Sequence, residues 1–182
     1  MTGPNASGKG AVCAFLATRG FETFSLSDVI REEARRRGLP PEREHLIRLG
    51  TEMRATGGPG VLARGLLPRL GRRSVIDSIR NPAEVAVLRE LPFFVLVGVR
   101  APIRLRFERS VKRARPGDPR TLEEFEAREA QENSSDRAAQ QLDATFALAD
   151  RHLDNDGDLE QLHVRVLALL EDLGIAAPTR HR

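Results

Sequence analysis

Apolar and polar positions alternate between two rhythms along this chain. Val12, Phe15 and Leu16 share one helical face that stops at Gly20, and residues 21–26 then read as a strand. Ser27-Asp28 is an N-cap signal for a helix to about Arg37, closed by Gly38 and the Pro40-Pro41 pair. Two more helices are expected, over about 42–54 and 61–70, joined by Thr56-Gly57-Gly58-Pro59-Gly60. Residues 74–77 form a short buried strand, and residues 93–99 are apolar at every position, as central parallel strands are. Helices are expected from Pro82 to about 90, from Pro102 to about 112 and from about Thr121. A weak strand at 151–154 and a turn at Asn155-Asp156-Gly157 precede a last helix. Its face carries Leu159, Leu162, Val166, Leu169, Leu170 and Leu173, and Gly174 closes it.

Strand and helix alternate, which predicts an α/β fold: a parallel sheet with helices on both faces. At 182 residues the chain is expected to be one domain, with a disordered tail over about 176–182. It has no apolar run of membrane-spanning length, and a soluble, cytoplasmic protein is expected. The lone Cys13 excludes an internal disulfide and a Cys-cluster zinc site and reads as core packing, while the four histidines share no ligand spacing. The formal charge is +3, carried almost wholly by arginine, because Lys9 and Lys112 are the only lysines. Arginines interleaved with acids, and no Trp or Tyr, argue against nucleic acid as a partner.

Chemistry concentrates at Gly3-Pro4-Asn5-Ala6-Ser7-Gly8-Lys9-Gly10, which has the G-x-x-x-x-G-K spacing and leads into a helix. Glycines there let backbone N–H groups turn onto phosphate oxygens, the lysine reaches the outer phosphates, and the helix N-terminus faces the same anions. The residues expected to hold ATP are Gly3, Asn5, Ala6, Ser7, Gly8, Lys9, Gly10 and Ala11. Gly10 replaces the usual hydroxyl residue that ligates Mg²⁺. Such loops follow a buried strand, yet only Met1 and Thr2 precede Gly3. The expectation is a sheet lacking its first strand, with the true start upstream.

Gly8-Lys9-Gly10 resembles the loop of adenylate kinases and related nucleoside monophosphate kinases, which carry Gly-Lys-Gly-Thr, with Ala11 here in place of the threonine. Ser27-Asp28-Val29-Ile30-Arg31 resembles their acceptor motif, implying that Arg31 meets the acceptor phosphate, with Asp28 as base or acceptor orienter. A capping Asp28 in a surface ion pair with Arg31 is the plainer alternative. Asp77-Ser78-Ile79-Arg80 resembles their Asp-Gly-x-x-Arg. Asp77 at a strand tip can hold Mg²⁺ through water and Arg80 can grip the acceptor, unless Asp77 simply caps the helix at Pro82. Arg113 and Arg115 in the polar break at 113–120, with Arg128 beyond it, resemble the short lid of small P-loop kinases. Arg104, Arg106 and Arg109 read equally well as a solvated helix face. The Asn155-Asp156-Gly157 turn resembles the stretch near the donor adenine in dephospho-CoA kinases.

In order and over nearly the whole chain, these pieces resemble P-loop kinases of the dephospho-CoA kinase and adenylate kinase group. They look most like an archaeal branch with Gly-Asp-Val-x-Arg-Glu-Glu, Asp-Gly-Ile-Arg and Asp-Pro-x-Thr-x-Glu-Glu-Phe, here residues 27–33, 77–80 and 118–125. The resemblance implies a three-layer P-loop NTPase sandwich, ATP and Mg²⁺ as cofactors, and phosphoryl transfer to a nucleotide-like small molecule. A nucleotide-binding switch that phosphorylates no small molecule is the alternative, favoured by the missing hydroxyls at Gly10 and Ala11.

Overall fold

Four short parallel strands form two pairs in the computed structural model, which describes residues 1–114 and 117–175. β1 (Glu22–Ser25) pairs with β2 (Ser74–Asp77), and β3 (Val97–Arg100) with β4 (Arg151–Asp154). Met1 and Thr2 occupy the slot between the pairs. The Met1 nitrogen donates to the Ile76 carbonyl and Ile79 N–H to Met1 O, while Thr2 N–H donates to Val97 O and Val99 N–H to Thr2 O. Two residues thus stand where the strand before the loop was expected, and they join β2 to β3.

The helices are α1 (Lys9–Ala17), α2 (Leu26–Arg36), α3 (Arg43–Gly57), α4 (Val61–Leu66), α5 (Pro82–Leu88), α6 (Ile103–Arg113), α7 (Leu122–Gln131), α8 (Leu142–Ala147) and α9 (Leu159–Asp172). Their division between the sheet faces follows from the two-residue period of a strand. Val75 packs with Val12, Leu16, Leu162 and Val166 of α1 and α9, and Cys13 lies at the edge of that core. Its neighbour Ile76 points the other way, into Leu26, Leu62, Leu66 and Leu88 of α2, α4 and α5. The result is three layers, helix, sheet, helix. No helix among the described residues is long and apolar enough to cross a membrane.

Several boundaries move from their expected places for physical reasons. The third strand begins at Val97, not 93: Phe93 is 97% exposed, and Leu96 N–H donates to the Asp150 carboxylate. Hydrophobicity alone makes 93–96 look like strand, but the chain turns at 92–93, and pairing with β4 begins only at Leu96 O, which accepts from Asp150 and Arg151 N–H. α2 is capped by Ser25, whose hydroxyl accepts from Ser27 N–H, two residues before the Ser27-Asp28 signal. The helix expected over 61–70 gives way to a 3₁₀ turn, Leu67–Arg69, where Pro68 has no N–H to continue the ladder. Leu159, on the apolar side of the last helix, is exposed in its first turn. α8 carried no expectation. The tail at 176–182 lies outside the described residues.

Candidate functional site

The loop between Thr2 and α1 uses its two framing glycines for reasons of space and backbone geometry. Gly3 has φ +136°, and a Cβ there would fall 2.1 Å from the Val99 carbonyl oxygen. Gly8 has φ +102°, and its missing Cβ leaves room for the Asn155 amide, which would otherwise stand 1.9 Å away. That amide donates to Ser7 O at 2.8 Å, fastening the turn after β4 to the loop. Lys9 folds back inside the loop, its Nζ donating to Gly3 O at 2.8 Å and Pro4 O at 2.9 Å. Burial lowers its pKa from 10.5 to about 8; Arg80 and Arg106 nearby push the same way, against Asp77 and Glu132. Ser7 is fully buried with a hydroxyl that meets no partner among the described residues. Around the position of a residue-10 side chain there is open space.

α6 turns a charged face inward. Arg106 and Ser110 are buried while Val111 of the same helix is half exposed, the reverse of an ordinary surface helix. Arg106 donates to Ala101 O at 3.0 Å and to Asn5 O of the loop at 3.3 Å, grips both oxygens of Glu129 on α7, and lies over the Phe125 ring. Arg109 donates to the Asn155 carbonyl at 3.0 Å and to Gly157 O at 3.2 Å. Neither therefore belongs to a solvated face, as the sequence reading allowed; only Arg104 is exposed. Arg113 pairs with Asp118 at 3.0 Å, and Arg128 on α7 donates to Gly117 O. Arg128 also lines a narrow cleft with Asn5, Arg43, Phe125, Glu129 and Glu132. Arg115 lies outside the described residues.

Beside the loop, Asp77 ends β2 and accepts from Ser78 N–H at 2.6 Å, with Ser78 in the left-handed region at φ 62°. It does not cap α5: Asn81 does, in a capping box with Glu84. Arg80 donates to Glu132 at 2.6 Å and to Gln140 at 3.0 Å. Asp77, Arg80 and Arg106 are each close enough to act on the charge of Lys9. Asp28 and Arg31 instead pair with each other at 2.7 Å, both about half exposed, and Arg31 also donates to Ser27 Oγ. No group of three or more Asp, Glu, His or Cys able to hold a metal occurs among the described residues. Gly10 and Ala11 supply no hydroxyl, and Asp77 and Glu132 are the carboxylates whose charge acts on Lys9.

Sequence reasoning passed over Arg43, Glu129, Glu132 and the Arg54–Glu84 pair. One signal was available: Arg106, Arg109, Ser110 and Arg113 form a stripe at helical spacing, opposite Val111.

Residues 2–61 match a family model described as an AAA domain. The chain is 36% identical over 177 residues to the UPF0200 protein of Hyperthermus butylicus, covering 95% of this chain and 92% of that protein. It is 34% identical over 182 residues to the UPF0200 protein of Thermococcus gammatolerans, covering 95% and 93%. Among solved structures, TT1252 from Thermus thermophilus superposes with a TM-score of 0.59 at 26% identity, over 94% of this chain and 95% of that one. Shikimate kinase from Acinetobacter baumannii, solved with shikimate, gives 0.57 at 16% identity over 96% and 93%, a likeness of fold. The architecture is shared with TT1252 and with that shikimate kinase.

Proposed function

Because this chain belongs to the UPF0200 family and has a P-loop kinase-like fold, we propose that it is an ATP-dependent phosphotransferase acting on a nucleotide-like small molecule. One observation carries the reading: the inward arginine face of α6 meets the Lys9 loop, with Asp77 and Arg80 near enough to act on the Lys9 charge. That is the charge distribution which phosphoryl transfer requires, since catalysis there is mostly positioning and electrostatic stabilisation.

In this reading the loop amides and Lys9 hold the β- and γ-phosphates. Asp77 would hold Mg²⁺ through water, and the metal, when bound, would neutralise phosphate charge. Arg113, Arg115 and Arg128 offset charge on the migrating group, while Arg31 and Arg80 fix the acceptor. An acceptor oxygen bonds to the γ-phosphorus as the bond to the β–γ bridging oxygen breaks, releasing ADP. The acceptor proton passes to Asp28 or to water. Purified protein supplied with γ-labelled ATP and a panel of nucleoside monophosphates and dephospho-CoA should label one of them. Labelling of none overturns the proposal.

The absence of a hydroxyl at Gly10 and Ala11 favours a second reading, a nucleotide-binding switch. Calorimetric titration of ATP with and without Mg²⁺ separates the two: binding indifferent to the metal, without affinity for any acceptor, favours the switch.

A further inference from the structure

Glu132, the residue after α7, is 5% exposed and lies between two guanidinium groups from distant parts of the chain. One carboxylate oxygen accepts from Arg43 at the start of α3, the other from Arg80 after β2. Burial opposes its charge, but Arg80 and Arg43 outweigh that and hold the carboxyl below the usual carboxylate range. A carboxylate bound by one arginine on each oxygen has the geometry of a captured oxyanion. It also borders the cleft beside Asn5 of the phosphate loop, where Arg43 and Arg128 stand.

Three features suit this arrangement to exchange. Glu132 sits past the last turn of α7, so its side chain can swing without breaking the helix. Arg43 is 40% exposed and reaches the fork from the solvent side. Arg80 keeps a second partner, Gln140, which holds it in place when the carboxylate leaves. A buried ion pair is in addition an expensive way to fasten two elements, because desolvation offsets most of the attraction.

We infer that Arg43 and Arg80 form a subsite for an oxyanion of the acceptor, a phosphate monoester or a carboxylate, and that Glu132 is its internal stand-in, displaced when the acceptor enters. The word acceptor rests on the phosphotransferase reading; the anion subsite itself does not. Competition from Glu132 lowers apparent affinity by the fraction of molecules in which the fork is vacant.

The test titrates inorganic phosphate and, separately, acetate into the full chain by calorimetry. A Lys9→Ala background keeps the phosphate loop from dominating the signal. Adding Glu132→Gln should strengthen binding of one anion by about tenfold or more, and adding Arg43→Ala should remove that gain. A gain for phosphate assigns a phosphate monoester, and a gain for acetate assigns a carboxylate. No gain, or a gain that survives Arg43→Ala, overturns the inference. Should the variants fail to fold, hydrogen exchange on the wild-type protein decides: saturating phosphate or acetate should speed exchange of the amides at 132 and 133, and unchanged exchange with both overturns it. Labelled ATP keeps the two proposals apart. Absence of transfer with a positive titration removes the kinase reading alone, and transfer with a flat titration removes the subsite alone.

Discussion

Lys9 should make this protein more stable as the solution becomes more alkaline. Its ammonium is buried in the loop, with a folded pKa of about 8 against an ordinary 10.5. Below pH 8 both folded and unfolded chains carry the proton, and the fold bears the whole penalty of burying the charge. Between 8 and 10.5 only the unfolded chain still holds it, so stability rises with pH through that window. At about 1.4 kcal/mol per pH unit the gap amounts to about 3 kcal/mol. The window is unusually clear, because the chain has no tyrosine and one other lysine, Lys112, exposed on α6. Two other groups titrate nearby: burial pushes the Cys13 thiol from 9.0 to about 11, which lowers stability as pH rises past 9, and lowers the Met1 amine from 8.0 to about 6, which raises stability up to about pH 8. Urea titrations should therefore compare Cys13→Ala with Cys13→Ala/Lys9→Met from pH 7.5 to 10.5. The difference in unfolding free energy, parent minus Lys9→Met, should climb by about 3 kcal/mol, or roughly 1–2 M in midpoint. A flat difference refutes the buried-ammonium argument.

Three further outcomes follow from the same geometry. ATP phosphates restore charge to Lys9, so binding should take up a proton and weaken as pH rises above about 8; calorimetry in buffers of different ionisation enthalpy measures the uptake. Gly8→Ala should lower stability by about 1–3 kcal/mol through its φ and the Asn155 amide, and Asn155→Ala should recover only the steric part in thermal melts. Arg54→Met leaves Glu84 buried without its ionic partner, although two N–H groups still hold it, and should cost about 3–5 kcal/mol in urea unfolding.

Local chemistry was legible wherever a few consecutive residues decide the backbone. The loop needs glycine at 3 and 8, where positive φ coincides with the close approach of Val99 and Asn155, and residues 3–10 announce that by spacing alone. β2 falls at its expected residues, since Val75 and Ile76 are buried on opposite faces and its ends are polar. The alternation of strands and helices was likewise enough for the α/β class. What the sequence could not decide was which charges meet. Asp28 and Arg31, adjacent on one helix, pair at the surface, as spacing alone permits. Arg80 and Glu132 meet across 52 positions, Arg106 reaches Asn5 across 101, and Asn155 reaches Ser7 across 148. Those contacts depend on how α3, α6, α7 and the turn after β4 pack around the loop, and no periodicity records the choice of partner. The sequence by itself determined a glycine-framed P-loop in a parallel α/β chain; tertiary packing decided that Arg106 is buried against it and that Glu132 stands between Arg43 and Arg80.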